Sequence, residues 1–255
     1  MAEQYSKNWE LHFKDTASSA LDVAKEFIHN TELLPEGNAF LVLEQTAGRG
    51  RMGRRWISRK NDGMYLSVIL SPKRSHIEWP TLSFVASLAA VQTLNSMCPE
   101  VPVSLKWPND LIAADKKLGG ILLEADGPHA IVGCGINIQN APDISDSIFL
   151  STDISTFQPI IPDNRKLAET YIYNLESLYQ IWQNCGPAPI VARWQDKSNI
   201  IGRKLTVSLR DRSITGICDA LEPDGRLNLV DTDGNVHLIT VGDVVLMGEV
   251  NATRN

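Results

Sequence analysis

The run GRGRMGRRWISRK, residues 48–60, limits what this chain can fold into more than any other feature. It holds Arg49, Arg51, Arg54, Arg55, Arg59 and Lys60 with no acidic residue, and Gly48, Gly50 and Gly53 interrupt it. Unpaired charges are costly to bury, and closely spaced glycines weaken helix and strand alike. The run therefore reads as a loop, entered from the strand-like AFLVLE at 39–44. The rest of the chain holds 18 basic and 30 acidic residues, or −12. A cationic loop on an acidic protein suggests a local anion site: glycine amides cradle anions, and guanidinium forks match carboxylates and phosphates. By itself the loop fits equally well a solvated surface segment or a flexible nucleic-acid tether. It is no Walker A loop, because GxxxxGK[ST] is absent. It is no Rossmann turn either, because its glycines lead into no helical pattern. The net charge of −6 argues against a general nucleic-acid binder.

Around this loop the patterning is mixed. Residues 18–28 place Leu21, Ala24 and Ile28 at helical spacing, and Ser19 with Asp22 three positions on resembles a capping box. MYLSVIL (64–70), VPVSLKW (101–107), LIAA (111–114), KLGGILLEAD (117–126) and HAIVGCGINI (129–138) read as strands. An alanine-rich stretch at 81–97 reads as a buried helix, and 163–183 as a second, with Leu167, Tyr171, Leu175, Leu178 and Trp182 near one face. Residues 142–162 read as irregular. This is an α+β pattern around a sheet, not a βα alternation. Near residue 198 the composition changes to five short strand-like runs, 203–210, 213–221, 226–232, 235–240 and 243–248. Asp224-Gly225 and Asp233-Gly234 between them are hairpin signals, and five strands in so short a span predict a small barrel. The expected domains are therefore 1–197 and 198–255.

Other features exclude function classes. No apolar run approaches the roughly 18 residues of a membrane span, so no membrane partner is expected. The polar start MAEQYSKNWELHFKD does not read as a signal peptide. Cys98, Cys134, Cys185 and Cys218 lie far apart with no zinc spacing, which predicts free thiols, no protein-held metal and a cytoplasmic location. The five histidines fall in no motif.

Two further motifs carry chemistry. KWPNDL (106–111) precedes KKLGGILLE (116–124), so strands flanking the turn would bring Lys106 and Lys117 toward a common region. Asn109 and Asp110 equally suit a plain turn after Pro108. In GCGIN (133–137) two glycines in a strand suggest a close approach of ligand or backbone, or a bulge.

In order and spacing, EQTAGRGRMGRRW, LKWPNDL-x5-KLGGIL and GCGIN resemble the biotin protein ligase family. The resemblance covers about residues 15–138, and the strand-rich tail is similar to that family's C-terminal SH3-like barrel. It implies a mixed-sheet, class II synthetase-like catalytic domain. It also implies formation of biotinyl-5′-AMP from biotin and ATP, and transfer of biotin to a lysine of a biotin carboxyl carrier protein. ATP and Mg2+ enter as co-substrates, with no tightly bound cofactor. By matched position, the resemblance puts Ser19, Ala20, Gln45, Gly48, Arg49, Lys117, Gly120, Ile121, Gly133 and Gly135 around biotin. It puts Arg51, Trp56, Lys106, Asn109, Ile136 and Asn137 around the nucleotide, with Lys117, Arg49 and Arg51 as the catalytic cations. The chain departs from the family where Ser-Thr-Asn is usual and Ser19-Ala20-Leu21 stands. A lipoate or octanoate ligase or transferase of the same superfamily is the alternative; Gln45 and the Arg/Gly loop favour biotin. The ligase block begins by residues 9–19, which leaves no room for a helix-turn-helix domain before it, so sequence-specific DNA binding is not expected. A homodimer is compatible with the resemblance.

The implied chemistry brings two anions together. Arg49, Arg51 and Lys117 would offset the repulsion between a carboxylate and a polyphosphate in a site shielded from water. The lid arginines, repelling one another without an anion, are expected to make residues 48–56 mobile until ligand orders them.

Overall fold

A computed structural model describes residues 9–32, 34–142, 150–209 and 211–246. Parts of the sequence expectations, at 143–149, Arg210 and 247–248, lie outside the described residues. Seven strands form the larger sheet: β1 (Glu10–Ala17), β2 (Asn38–Gln45), β3 (Gly63–Leu70), β4 (Val103–Lys106), β5 (Asp110–Ala113), β6 (Lys116–Asp126) and β7 (His129–Asn137), in the order β1-β2-β3-β7-β6-β5-β4. β1 and β2 run parallel and every other pair antiparallel, so the sheet is mixed. Four helices complete the region: α1 (Ala20–Asn30), α2 (Leu82–Met97), α3 (Asn164–Cys185) and α4 (Ala188–Gln195).

Strand alternation distributes the helices. Phe40, Ile69 and Ile131 face one way and pack with Leu21 and Ala24 of α1. Leu41, Val68, Leu70, Ala130 and Val132 face the other way, into a core shared with α2, α3 and α4. The alternation follows from the period of two that places neighbouring side chains on opposite faces. Helix α2 packs against both the sheet and α3, which explains why its buried residues lie on more than one face. Its two buried hydroxyls are satisfied: Ser87 Oγ accepts from Trp194 Nε1 at 2.8 Å, and Thr93 Oγ1 donates to the Ala89 carbonyl at 2.7 Å. Among the described residues, no helix is long and apolar enough to cross a membrane.

Two elements escaped the sequence reading. β1 is an edge strand, largely exposed, so no apolar alternation marks it. α4 is only eight residues long and buries just Ile190, Val191 and Trp194. The four cysteines are free, as expected.

The C-terminal strands are β8 (Lys204–Ser208), β9 (Ser213–Leu221), β10 (Leu227–Asp231), β11 (Val236–Ile239) and β12 (Asp243–Leu246). They form an antiparallel sheet in the order β11-β10-β9-β8-β12. Among the described residues β11 and β12 are its edges and do not pair with each other, so this second sheet is not closed there. Both Asp-Gly turns form, with Gly225 and Gly234 at positive φ. The Gly225 turn meets the first region directly: its carbonyl accepts from Trp107 Nε1 at 3.0 Å, and a Cβ there would overlap the Phe84 ring. A second join runs along β4, where Leu105 exchanges hydrogen bonds with Lys197 and Asn199.

Gly225→Ala meets both a positive φ and an occupied space. It should lower stability by about 1–3 kcal/mol, seen as a lower urea midpoint with an unchanged slope. A midpoint equal to that of the parent protein would show that Phe84 gives way freely.

Candidate functional site

The lid begins where β2 ends. After Gln45 the chain folds back on itself: Trp56 N–H donates to the Gly48 carbonyl at 2.9 Å, Gly50 N–H to the Arg54 carbonyl at 2.7 Å, and Arg49 bridges Arg55. The tip, Arg51–Gly53, is a single 3-10 turn with Met52 and Gly53 both at positive φ. Between this lid and the sheet lies a cavity of about 410 Å3. Its walls include Ala20 and Leu21 of α1, Gln45, lid residues 49–51 and 54–57, and Trp107 to Asp110. Lys117, Gly120, Ile121, Gly133, Gly135 and Asn137 of β6 and β7 add to them, with Asp243 and Val244 from the C-terminal sheet.

Missing side chains shape the floor. Trp56 lies so close to Gly135 that a Cβ there would stand 2.9 Å from the indole. Leu21 meets Gly133 in the same way, at 3.2 Å. Gly120 differs: a Cβ there would meet only Asp110 and Lys117, at 3.5 Å, an ordinary contact. The protein alone does not require glycine at 120.

Lys117 owes its aim to a bulge. The register of β5 and β6 shifts between Leu111 and Ile112. The Lys117 N–H donates to the Leu150 carbonyl at 2.8 Å, and its carbonyl accepts from the Thr152 N–H at 2.9 Å. A bulge re-aims a side chain in this way. Lys117 Nζ stands 2.6 Å from Asp110 Oδ1 and 5.8 Å from the centre of the Trp56 ring. Asp110 and Asn109 follow the cis Trp107–Pro108 peptide. Asn109 is clamped to β6 through the Ile121 backbone and accepts from Arg51 Nη1 at 3.1 Å.

Carboxylates hold the lid cations. Arg49 forms a fork on Glu124, with Nε to Oε1 at 2.8 Å and Nη2 to Oε2 at 3.2 Å, and also reaches Asp22 at 2.7 Å. Its Nη1 donates to Ser19 Oγ at 2.9 Å. Hydrogen bonds to Glu124 and Asp22 raise the Arg49 pKa. Burial pushes the Asp22 carboxyl up, but hydrogen bonds from Arg49, Ser18 and Ser19 outweigh it and hold the pKa at about 2. Arg49 likewise lowers Glu124. Burial lowers Arg51, against the attraction of Asp243 and Asp110. Arg54 Nη2 lies 2.8 and 3.0 Å from the two oxygens of Asp243. The expected mutual repulsion of the lid arginines is thus offset by Glu124, Asp22 and Asp243, acids brought by α1, β6 and β12.

The cavity brings together most residues singled out in the sequence, but not all. Ser19 is buried and caps α1, accepting from the Asp22 N–H at 3.1 Å; it meets the cavity only through Arg49. The Asp22 carboxylate is engaged by Ser18 and Arg49. Gly48 sits behind the lid, where a Cβ would overlap the Trp56 carbonyl. Lys106 pairs in register with Asp110 but is buried and does not line the cavity. Ile136 belongs to the core. The Gln45 amide is used on both sides: Oε1 accepts from the Ala20 N–H at 2.8 Å, and Nε2 donates to Ser58 Oγ at 2.7 Å. Asn137 lines the cavity and donates to the Thr152 carbonyl at 3.0 Å. Sequence reasoning missed Glu124, Trp107 and Asp243 as site residues. Trp107 lies inside KWPNDL and Glu124 closes KKLGGILLE, so both were within reach; nothing in sequence links Asp243 to a loop near residue 50.

Comparison with known proteins agrees with this geometry. The Biotin/lipoate A/B protein ligase family model matches residues 15–137. The biotin--[acetyl-CoA-carboxylase] ligase of Mycobacterium tuberculosis is 32% identical over 214 residues, covering 82% of this chain and 79% of that protein. The bifunctional ligase/repressor BirA of Escherichia coli is 30% identical over 219 residues, covering 84% and 67%. The structure of biotin protein ligase from Aquifex aeolicus in complex with biotin and ATP superposes with a TM-score of 0.81 at 25% identity, over 94% of this chain and 99% of that one.

Two predictions arise here. Gly120→Ala should leave the thermal midpoint within about 1 °C but weaken ligand binding at least about tenfold, because only a ligand competes for that space. Calorimetry showing unchanged affinity would mean that no ligand approaches Gly120. The second concerns acid. The Asp22 pKa is depressed from 3.8 to about 2, so the stability it contributes is full above 3.8 and is lost as pH falls toward 2. Asp22→Asn should therefore flatten the stability-against-pH curve between those values; a curve parallel to that of the parent would remove Asp22 from the linkage.

Proposed function

The chain belongs to the biotin protein ligase family and is a biotin protein ligase, and we propose that the lid cavity carries out its chemistry as follows. The biotin carboxylate attacks the α-phosphorus of ATP, pyrophosphate leaves, and biotinyl-5′-AMP forms. A lysine amine of the acceptor then attacks the anhydride carbonyl, AMP leaves, and an amide results. Both reactants of the first step are anions, so the protein's main task is to place positive charge between them.

The observation that carries this reading is the position of Lys117. Its ammonium lies at the junction of the glycine floor, Asp110 and the Trp56 ring. There it would exchange Asp110 for the biotin carboxylate and an α-phosphate oxygen. Arg51, held on Asn109, would face the phosphates. Arg49 would hold the lid against α1 and β6 and close over biotin. Ala20, Gln45 and Ile121, with Gly120, Gly133 and Gly135 along the floor, would form the biotin side; Trp56, Asn109 and Asn137 would form the nucleotide side. Ser19 and Gly48 act behind them, by fixing Arg49 and letting the lid backbone approach Gln45. Lys106 and Ile136 support the strands from within.

Mg2+ fits as a companion of the nucleotide. Asp110 and Asn109 offer oxygen donors, the chemistry a hard cation shares with phosphate oxygens. Among the described residues no group of three or more acidic, histidine or cysteine side chains would hold a metal without it.

We read residues 1–197 as the catalytic, class II synthetase-like domain. Residues 198–255 we read as an SH3-like barrel, from the β11-β10-β9-β8-β12 order and the short hairpins. The acceptor we propose is a biotin carboxyl carrier protein, and free thiols suit a cytoplasmic location.

The test is incubation with ATP, Mg2+ and biotin, lipoate or octanoate, followed by mass spectrometry. Biotinyl-AMP should predominate, and a preference for lipoyl- or octanoyl-AMP would overturn the assignment. Lys117→Ala should lose at least about 100-fold in adenylation rate, since an oriented charge in a dry site is worth several kcal/mol. More than half the parent rate in that variant would exclude Lys117 from the role.

A further inference from the structure

We infer that Asp243, the first residue of β12, is a positioning residue for adenylation: it pins the tip of the lid to the C-terminal sheet and thereby sets where Arg51 points. The inference rests on the reading of Arg51 as a phosphate-facing side chain.

Asp243 lies 189 residues from Arg54 in sequence, yet both its carboxylate oxygens accept from Arg54 Nη2, at 2.8 and 3.0 Å. Arg51 Nη1 stands 4.0 Å from the same carboxylate. Arg54 Nε in turn donates to the Arg51 carbonyl at 3.3 Å, so Arg54 clips the lid tip to Asp243 at one end and to the backbone of Arg51 at the other. The other ties on the tip are the backbone bonds between Gly50, Arg51 and Arg54 and the Arg51 guanidinium on Asn109; the tip itself is one 3-10 turn with two consecutive residues at positive φ, and Met52 is 70% exposed.

Burial differs between the two pairs. Arg54 is half exposed, whereas Asp243 and Arg51 keep only 25% and 20% of their side-chain exposure, so solvent screens the Arg51–Asp243 interaction less than that of an open surface pair. Asp243 also lines the cavity together with Val244. Its charge therefore has two effects. It offsets the repulsion between Arg51 and Arg54, which otherwise drives the tip apart, and it holds both guanidinium groups at the cavity wall before nucleotide arrives. A polyphosphate then meets arginines already in place, and the ordering cost of the tip is met in advance. By this contact the C-terminal sheet governs a loop on the far side of the sequence.

The experiment uses full-length Asp243→Asn, Asp243→Glu and Arg54→Gln. The first readout, with no ligand, is the initial rate of tryptic cleavage after the lid arginines. The second is kcat and KM for ATP in adenylation at saturating biotin. Asp243→Asn should be cut at least about threefold faster in the lid, since proteolysis follows the population of the open form. Its KM for ATP should rise about tenfold while kcat falls less than about threefold, because an approach geometry is lost and the reacting cations stay. Asp243→Glu keeps the carboxylate and should restore both readouts to near the parent values. Arg54→Gln removes the other half of the clip and should reproduce the KM rise at whatever stability Asp243→Asn has. An Asp243→Asn protein with unchanged lid cleavage or unchanged KM for ATP overturns the proposal, as does a fall in kcat alone. If the parent protein adenylates none of the acids offered, the functional reading fails, and lid cleavage alone decides whether Asp243 pins the lid.

Discussion

Charge neutralisation inside the cavity is the constraint on which the site depends. Four cations at the cavity rest on acids of the protein's own: Lys117 on Asp110, Arg49 on Glu124 and Asp22, Arg54 and more distantly Arg51 on Asp243. A cluster of unpaired guanidinium groups would repel itself and hold the lid open. With acids supplied by α1, β5, β6 and β12, the lid lies down with its charges balanced. On the proposed reading, a substrate anion would replace an internal carboxylate and would not have to assemble a scattered set of cations. The arrangement also ties reactivity to tertiary structure, because no two of these acids come from the same element.

The sheet makes this arrangement possible by being covered unequally. α1 covers one face and α2, α3 and α4 the other, so the packing that gives stability lies mostly on the α2–α3 side. The α1 side has room for a cavity, framed by the helix start, the lid and the ends of β6 and β7. Ser19 joins the two functions in one atom: its Oγ accepts from the N–H of Asp22 to start α1 and from Arg49 to hold the lid.

Much of this was legible in sequence, for definable reasons. Helices α1, α2 and α3 and strands β2 to β7 announce themselves because they bury a face or both faces, and burial imposes a period. β1 was invisible because an edge strand exposed on most of its length has no such period, and α4 because eight residues hardly complete two turns. The motif blocks pointed to the cavity through their order and spacing, which resemble those of the family; each block alone also suited a surface loop, a plain turn or a bulge. The ion pairs were not legible. Glu124 and Asp22 reach Arg49 across 75 and 27 residues, and Asp243 reaches Arg54 across 189, so each depends on the finished fold. The tail strands were legible one by one from their Asp-Gly turns, but whether they close depends on edge pairing, which no single strand encodes.

The floor of the cavity has a consequence for how such a protein can change over time. At Gly133 and Gly135 the missing side chains make room for Leu21 and Trp56, and at Gly120 they leave space open to the cavity; main chain has no alphabet, and no substitution offers an alternative hydrogen-bonding group at these positions without first filling that space. Evolutionary exploration of new acids is therefore confined to the opposite wall, where Ala20 and Leu21 begin α1 and Gln45 ends β2. Those positions sit on a helix start and a strand end, and none of them supplies an acid or a cation to the charge network. A lineage under selection for a different head group would be expected to record its history there, while the strands beneath stay silent.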